Sequence, residues 1–345
     1  MSAVGLPEVV ALIMVLALNA YALTGGADFG TGVWDLLARG PGRRAQRELI
    51  AEQIAPIWEA NHVWLILVVV MLFTAFPAAF STLGVVLHIP LTLMLLGIVA
   101  RGSAFVFRSY GAHDDASQQR WGRVFAVASI VTPVLLGTSV GAIASGAAGT
   151  AAARLAGAGN GGAPSFASVY VAPWLAPFPL ALGALALAMF AFLAAVYIAV
   201  REPALRDVFR RRALWSAAAI FVTAFGALAI ARVTAPRVVD SLMGGGALAF
   251  QGAVAVAALT AIWALRASHF RIARVAAAAQ VSLILWGWVL AQAPYVVPPT
   301  LTVRGTAAPR ITLELLVAAL AAGAVILIPA LAYLYRTFTA ERRVR

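Results

Sequence analysis

Two carboxylates, Asp28 and Glu59, stand in this sequence where apolar stretches meet their connections. Glu59 lies in Pro56-Ile-Trp-Glu-Ala-Asn-His-Val-Trp-Leu65. A helix there puts Glu59 and His62 (i, i+3) on one face, with Trp58 and His62 (i, i+4) and the intervening Asn61 beside them. Asp28 lies in Thr24-Gly-Gly-Ala-Asp-Phe-Gly-Thr-Gly32, where four glycines in nine residues let the backbone break or approach a neighbour closely. Arg101 and Arg108 close the third apolar stretch on the same side. A carboxylate inside hydrocarbon costs several kcal/mol, so such acids are functional candidates by default. A carboxylate and a histidine at one membrane level could relay protons inward. The other reading is a structural ion-pair cluster, with Pro56 and Glu59 as an ordinary helix start. The residues alone leave both open.

Other chemistry has little to build on. The chain has no Cys, which excludes disulfides, thiolate metal sites, iron–sulfur clusters and cysteine nucleophiles. Of the four histidines, His62 and His88 fall near or within apolar stretches, while His113 and His269 fall in or beside loops. That is poor pairing for axial haem ligation. No phosphate loop, catalytic triad or metal motif appears.

The elements that must position these residues are membrane helices. Of 345 residues, 63% are hydrophobic and 11% charged, and the mean hydropathy is +0.93. A soluble domain carries roughly 45–50% apolar and about 25% charged residues, so lipid must be the solvent here. Nine stretches are long enough to cross a core of about 30 Å. They are Leu6–Thr24, Ile54–Ala78, Thr82–Val106, Val124–Ser145, Val171–Val200, Ala213–Ala231, Ala247–Leu265, Ile272–Ala291 and Ile311–Tyr335. The first lacks the basic leader of a cleaved signal and reads as a retained helix. Most tryptophans fall near span ends and read as interfacial anchors. The expected fold is an all-α integral membrane protein, one polytopic domain over residues 1–345.

Net charge is +12, and every basic residue is Arg. Twenty of the 25 arginines fall in alternate connections and the C-terminal tail, and five fall on the opposite side. This alternation is the positive-inside pattern, not the single basic patch of a nucleic-acid binder. It predicts the N-terminus outside and the C-terminus cytoplasmic. Ala147–Asn160 and Tyr295–Pro309 read as outside loops.

The motifs resemble those of subunit II of the cytochrome bd-type quinol oxidases. Gly26-Ala-Asp-Phe-Gly-Thr-Gly32 looks like the glycine–aspartate motif of that family's first helix. Pro56-Ile-Trp-Glu-Ala-Asn-His-Val-Trp-Leu-Ile66 resembles its Pro-x-Trp-(Asp/Glu)-x-Asn-x-Val-Trp-Leu signature, the most specific match. Phe73-Thr-Ala-Phe-Pro77, Arg101-Gly-Ser-Ala-Phe-Val-Phe-Arg108 and Pro294-Tyr-Val-Val-Pro-Pro299 follow in the family's order.

The resemblance implies a multi-pass chain of a bacterial or archaeal inner membrane, working as the haem-free subunit of a quinol:O₂ oxidoreductase. It implies a partner subunit I carrying two b-type haems, one d-type haem and the quinol-oxidising loop. It leaves room for a structural quinone and for small single-helix accessory subunits, with lipid around the whole. Asp28 and Glu59 match acids assigned to proton uptake, with Asn61 and His62 beside them and Arg101 and Arg108 as supporting charges. Two positions depart from the pattern: Val106 stands where the family often has an acid, and His62 where it often has Gln or Glu. The rivals are a secondary transporter or channel using Asp28 and Glu59, and a purely structural scaffold. Interrupted midplane helices, common in transporters, are not evident.

Overall fold

The computed structural model describes residues 5–38, 46–47, 50, 58–111, 115–157 and 163–340. Among them, eight helices are long and apolar enough to cross a membrane, and a bent pair brings the number to nine when it is counted as one span. In order these are α1 (Leu6–Leu36), α2 (Trp58–Ala75) with its bent continuation α3 (Pro77–Val86), α4 (His88–Tyr110) and α5 (Asp115–Ala144). After three short helices, α6 (Ala147–Ala156), α7 (Phe166–Tyr170) and α8 (Ala172–Leu175), come α9 (Pro177–Arg201) and α10 (Arg206–Thr234). The short α11 (Pro236–Met243), then α12 (Gly245–Arg266), α13 (Phe270–Gln292) and α14 (Arg310–Ala340) complete the chain.

Helix α9 is the axis of the bundle. Leu193, Ala194, Ala195 and Val196 are buried in succession, so every face of that stretch is covered. In lipid, such packing rests on small residues that let backbones approach. Gly30 of α1 shows how closely. A Cβ there would stand 1.9 Å from the Phe190 carbonyl oxygen of α9.

That contact explains a correction to the expected boundary at Thr24. The glycine run does not end the helix; α1 continues unbroken through it to Leu36. Its glycines are the seam against α9, and Asp28 sits inside a continuous helix. The start is fixed by Pro7 in the first turn and by Glu8, whose Oε2 accepts from the Gly5 N–H at 3.0 Å.

A second difference concerns the segment expected as the start of the third span at Thr82. The helix breaks at Phe76, and Ala60–Ala75 and Pro77–Val86 are bent by 117°. Pro77 brings no N–H to continue the ladder. The carbonyl of Ala75 instead accepts the Ala308 N–H at 2.8 Å, from the connection before α14. The third crossing therefore begins at His88. The Ala-rich segment after Gly146, expected as a loop, forms α6. Part of Tyr295–Pro309 forms a small antiparallel hairpin, Tyr295–Val297 with Leu301–Thr302, whose Val297 is buried. Several arginines assigned to connections lie on helices that extend past the apolar stretch, as in the first turns of α10. Trp215 and Trp263 are exposed, whereas Trp174, expected as an anchor, is buried, its Nε1–H donating to the Tyr170 carbonyl at 2.8 Å.

Candidate functional site

Successive crossings run in opposite directions, so α1 and α4, the first and third, run parallel. Residues seven apart on a helix return to nearly the same face after two turns. Asp28 and Asp35 on α1 have this spacing, and so do Arg101 and Arg108 on α4. The structure joins them as two rungs.

The inner rung is closed. Arg101 is 1% exposed and Asp28 is 7% exposed. Arg101 Nη1 donates to Asp28 Oδ2 at 2.9 Å and Nη2 to Oδ1 at 2.8 Å, a bidentate pair, while Nη2 also donates to the Asp28 carbonyl at 3.0 Å. The remaining Nε donates to Ser129 Oγ on α5 at 3.0 Å. The rings of Phe29 and Phe125 each lie 4.8 Å from the guanidinium carbon, and cover its faces. A buried guanidinium needs each of these partners, because an uncompensated charge there is costly.

The outer rung is looser, and of its members the sequence had pointed only to Arg108. The Asp35 side chain is 1% exposed, yet its nearest cation atoms are distant: Arg108 Nη1 and Nη2 at 3.4 Å and Arg47 Nε at 3.7 Å. Arg47 also donates from Nε and Nη2 to the Asp35 carbonyl, both at 3.1 Å. The Arg108 guanidinium lies 5.6 Å from the Phe125 ring. Phe125 therefore stands between the two arginines as an apolar partition. Asp35 escaped notice because the first span seemed to end at Thr24. The matching seven-residue intervals of the two Asp and two Arg residues were the available signal.

On α2, Asn61 is buried, and neither its Oδ1 nor its Nδ2 has a hydrogen-bond partner among the described residues. His62 is held between aromatic rings, its centroid 6.1 Å from Tyr21 and 6.0 Å from Phe29, within reach of the fields of Asp28 and Arg101. So Asp28, His62, Arg101 and, one rung away, Arg108 are brought to one end of the first three crossings, with Asn61 next to His62 on α2. Glu59 belongs to the first turn of α2, and its side chain lies outside the described residues, as does that of Trp58. Buried polar groups such as those of Asn61 ordinarily hold water. The arrangement can fix charge and hold water next to a neutralised ion pair.

The three described histidines lie apart from one another. His62 and the bend before His88 are separated by about 20 Å of helix. His88 Nδ1 lies 2.8 Å from the Val85 carbonyl, and its ring packs on Tyr170. His269 precedes α13 and packs on Trp263, and His113 lies outside the described residues.

The family described as "Cytochrome bd terminal oxidase subunit II" matches residues 6–338. Cytochrome bd ubiquinol oxidase subunit 2 of Bacillus subtilis (strain 168) is 34% identical over 128 residues, 36% of this chain and 36% of that protein. Cytochrome bd-I ubiquinol oxidase subunit 2 of Escherichia coli (strain K12) is 29% identical over 136 residues, 39% of this chain and 35% of that protein. These alignments span about a third of the curated relatives. A chain of the solved bd oxidase from Geobacillus thermodenitrificans has the same fold, with a TM-score of 0.77 at 19% identity over 96% of this chain and 98% of that one. With its family pattern matched from the first helix through the last, the chain belongs to the cytochrome bd terminal oxidase subunit II family.

Proposed function

We propose that this chain is the haem-free membrane subunit of a bd-type quinol:O₂ oxidoreductase of the aerobic respiratory chain. It stabilises a haem-bearing subunit I and contributes to proton uptake from the cytoplasm. The orientation follows the arginine distribution: N-terminus outside, C-terminus and the two Asp–Arg rungs on the cytoplasmic side of an inner membrane. Two b-type haems and a d-type haem in the partner supply the O₂-reducing chemistry. This chain's own residues hold charge and water on the side from which protons are drawn. A structural quinone and small accessory subunits are compatible with this reading.

The observation that carries it is the polar cluster at one end of the first three crossings, in a chain of this family. Asn61 and His62 give a polar lining suited to water beside the neutralised Asp28–Arg101 pair. Asp28 acts there as a fixed anion, because a proton would have to displace a bidentate guanidinium to reach it. Arg101 in turn fixes α4 to α1 and α5.

The experiment is affinity purification of the tagged chain from its native membrane. The expected result is a coloured complex with b- and d-type haem bands and quinol-driven O₂ consumption, while the chain isolated from the complex is colourless. A chain that purifies without a haem-bearing partner and moves solutes in liposomes would overturn the reading in favour of a transporter. Loss of partner binding with full O₂ consumption in the remainder would remove the stabilising role.

A further inference from the structure

The two rungs differ in what their carboxylates are free to do. Both Asp28 oxygens are taken at 2.8 and 2.9 Å by one guanidinium, which has its own remaining donor on Ser129. Asp35 is as deeply buried, but its cation contacts lie at 3.4 and 3.7 Å, beyond the 2.7–3.2 Å of a well-made N–H···O bond. Its oxygens therefore keep unused acceptor capacity. The two arginines that hold it are themselves partly exposed on the surface of the chain, Arg108 at 17% and Arg47 at 21% of their side chains. Asp35 is thus one side chain away from water, whereas Asp28 is closed off behind the Phe125 ring.

Resting on the proposed proton uptake, we infer that Asp35 is the carboxylate that takes up protons first, a role for which Asp28 is too tightly paired. In this step a proton from water bonds to an Asp35 oxygen and gives the neutral acid. Arg47 and Arg108 keep their charge and turn towards water. The proton then leaves to water, the carboxylate re-forms, and both guanidinium groups return to it. The proton continues towards Asn61 and His62. The axial distance from Asp35 to Asp28 is about 10 Å, too far for a direct transfer and spanned by a few waters. The unpartnered oxygen and nitrogen of Asn61 are suited to hold one of them.

The charged groups around Asp35 are Arg47 after α1, Arg108 on α4, and Arg212 on α10, which reaches the Leu37 carbonyl at 3.5 Å. Among the described residues, all the charged groups at this end of the site apart from Asp28 and Asp35 are cations. The Asp35 carbonyl is also held by Arg47, so the backbone stays in place while the side chain changes state.

The test uses the whole complex with Asp35→Asn and Asp35→Glu, and Asp28→Asn in parallel. Haem content, quinol-driven O₂ consumption across pH, and haem reduction by quinol without O₂ are all read. Asp35→Asn is expected to keep its haems and its anaerobic reduction while turnover falls about tenfold, equivalent to about 1.4 kcal/mol on the barrier. The loss should deepen as pH rises and protons become scarce, and Asp35→Glu should restore most of it. Asp28→Asn should lose haem or partner instead. Unchanged turnover and pH profile in Asp35→Asn would overturn the inference. So would equal haem loss in the Asn and Glu variants, which would make Asp35 a brace only. A wild-type complex that consumes no O₂ would refute the proposed function itself, and this inference with it.

Discussion

Gly32 of the first crossing and Ser129 of the fourth touch: a Cβ on Gly32 would stand 2.2 Å from both the Cβ and the Oγ of Ser129. The same Ser129 oxygen accepts from Arg101 and donates to the Phe125 carbonyl at 2.7 Å. One small contact thus sets the position of the buried guanidinium. Gly32→Ala is expected to destabilise by about 1–3 kcal/mol, the usual cost of overpacking. Gly84→Ala, with nothing within 4 Å of its added carbon, serves as the control and should leave stability nearly unchanged. Thermal unfolding of the two variants in the same detergent checks both.

The inner rung predicts a non-additive pair. Arg101→Met leaves Asp28 as a buried, unpaired carboxylate and should cost about 3–5 kcal/mol. Adding Asp28→Asn removes the stranded charge and should recover a large part of that loss. A double-mutant cycle by denaturant or thermal unfolding measures the coupling. Simple additivity of the two single losses would contradict the closed-rung description.

Trp34 ties α1 to the central helix through one bond, its Nε1–H donating to the Ala191 carbonyl at 2.9 Å. Trp34→Phe keeps an aromatic ring under Arg212, which sits 5.3 Å above the tryptophan. It removes this second bond to the Ala191 carbonyl, which keeps its partner within the helix. A loss of about 0.5–1.5 kcal/mol is expected, the net worth of one hydrogen bond. Unfolding in detergent reads it, and an undiminished melting temperature would refute it.

The pair between Arg304 and Glu8 joins the start of α1 to the connection before α14, with side chains 53% and 32% exposed. Exposed pairs contribute about 0–1 kcal/mol and are screened by salt. Arg304→Gln should therefore be nearly neutral at high ionic strength. A measurable loss should appear only at low salt, in the same unfolding assay.

Much of this fold could be read from composition and charge. Long Ala- and Leu-rich stretches have one favourable state in lipid, and arginine at alternate connections orders them. The deep pair was half visible, since Asp28 and Arg101 were both singled out, although nothing in the sequence joined them. Asp35 was not visible, because Trp34-Asp35-Leu36 precedes a run of arginines and looked like solvated loop. Its burial depends on α1 continuing through a glycine run that local propensity disfavours and tertiary packing against Phe190 rewards. The bend at Phe76 was missed for a related reason. Hydropathy continues across it, and only the Pro77 backbone marks the break.

The hydrogen bond from the Ala308 N–H to the Ala75 carbonyl reaches across most of the chain. A ribosome feeding this protein into a membrane delivers Ala75 long before Ala308. Until the last connection arrives, the end of the second helix carries a carbonyl whose partner in the finished protein comes from that connection. Truncation before Ala308 would leave a nascent chain in which the Ala75 carbonyl lacks this donor, so its early helices are inserted without that lock. About the last tenth of the chain thus supplies a contact that its beginning lacks until synthesis is nearly complete.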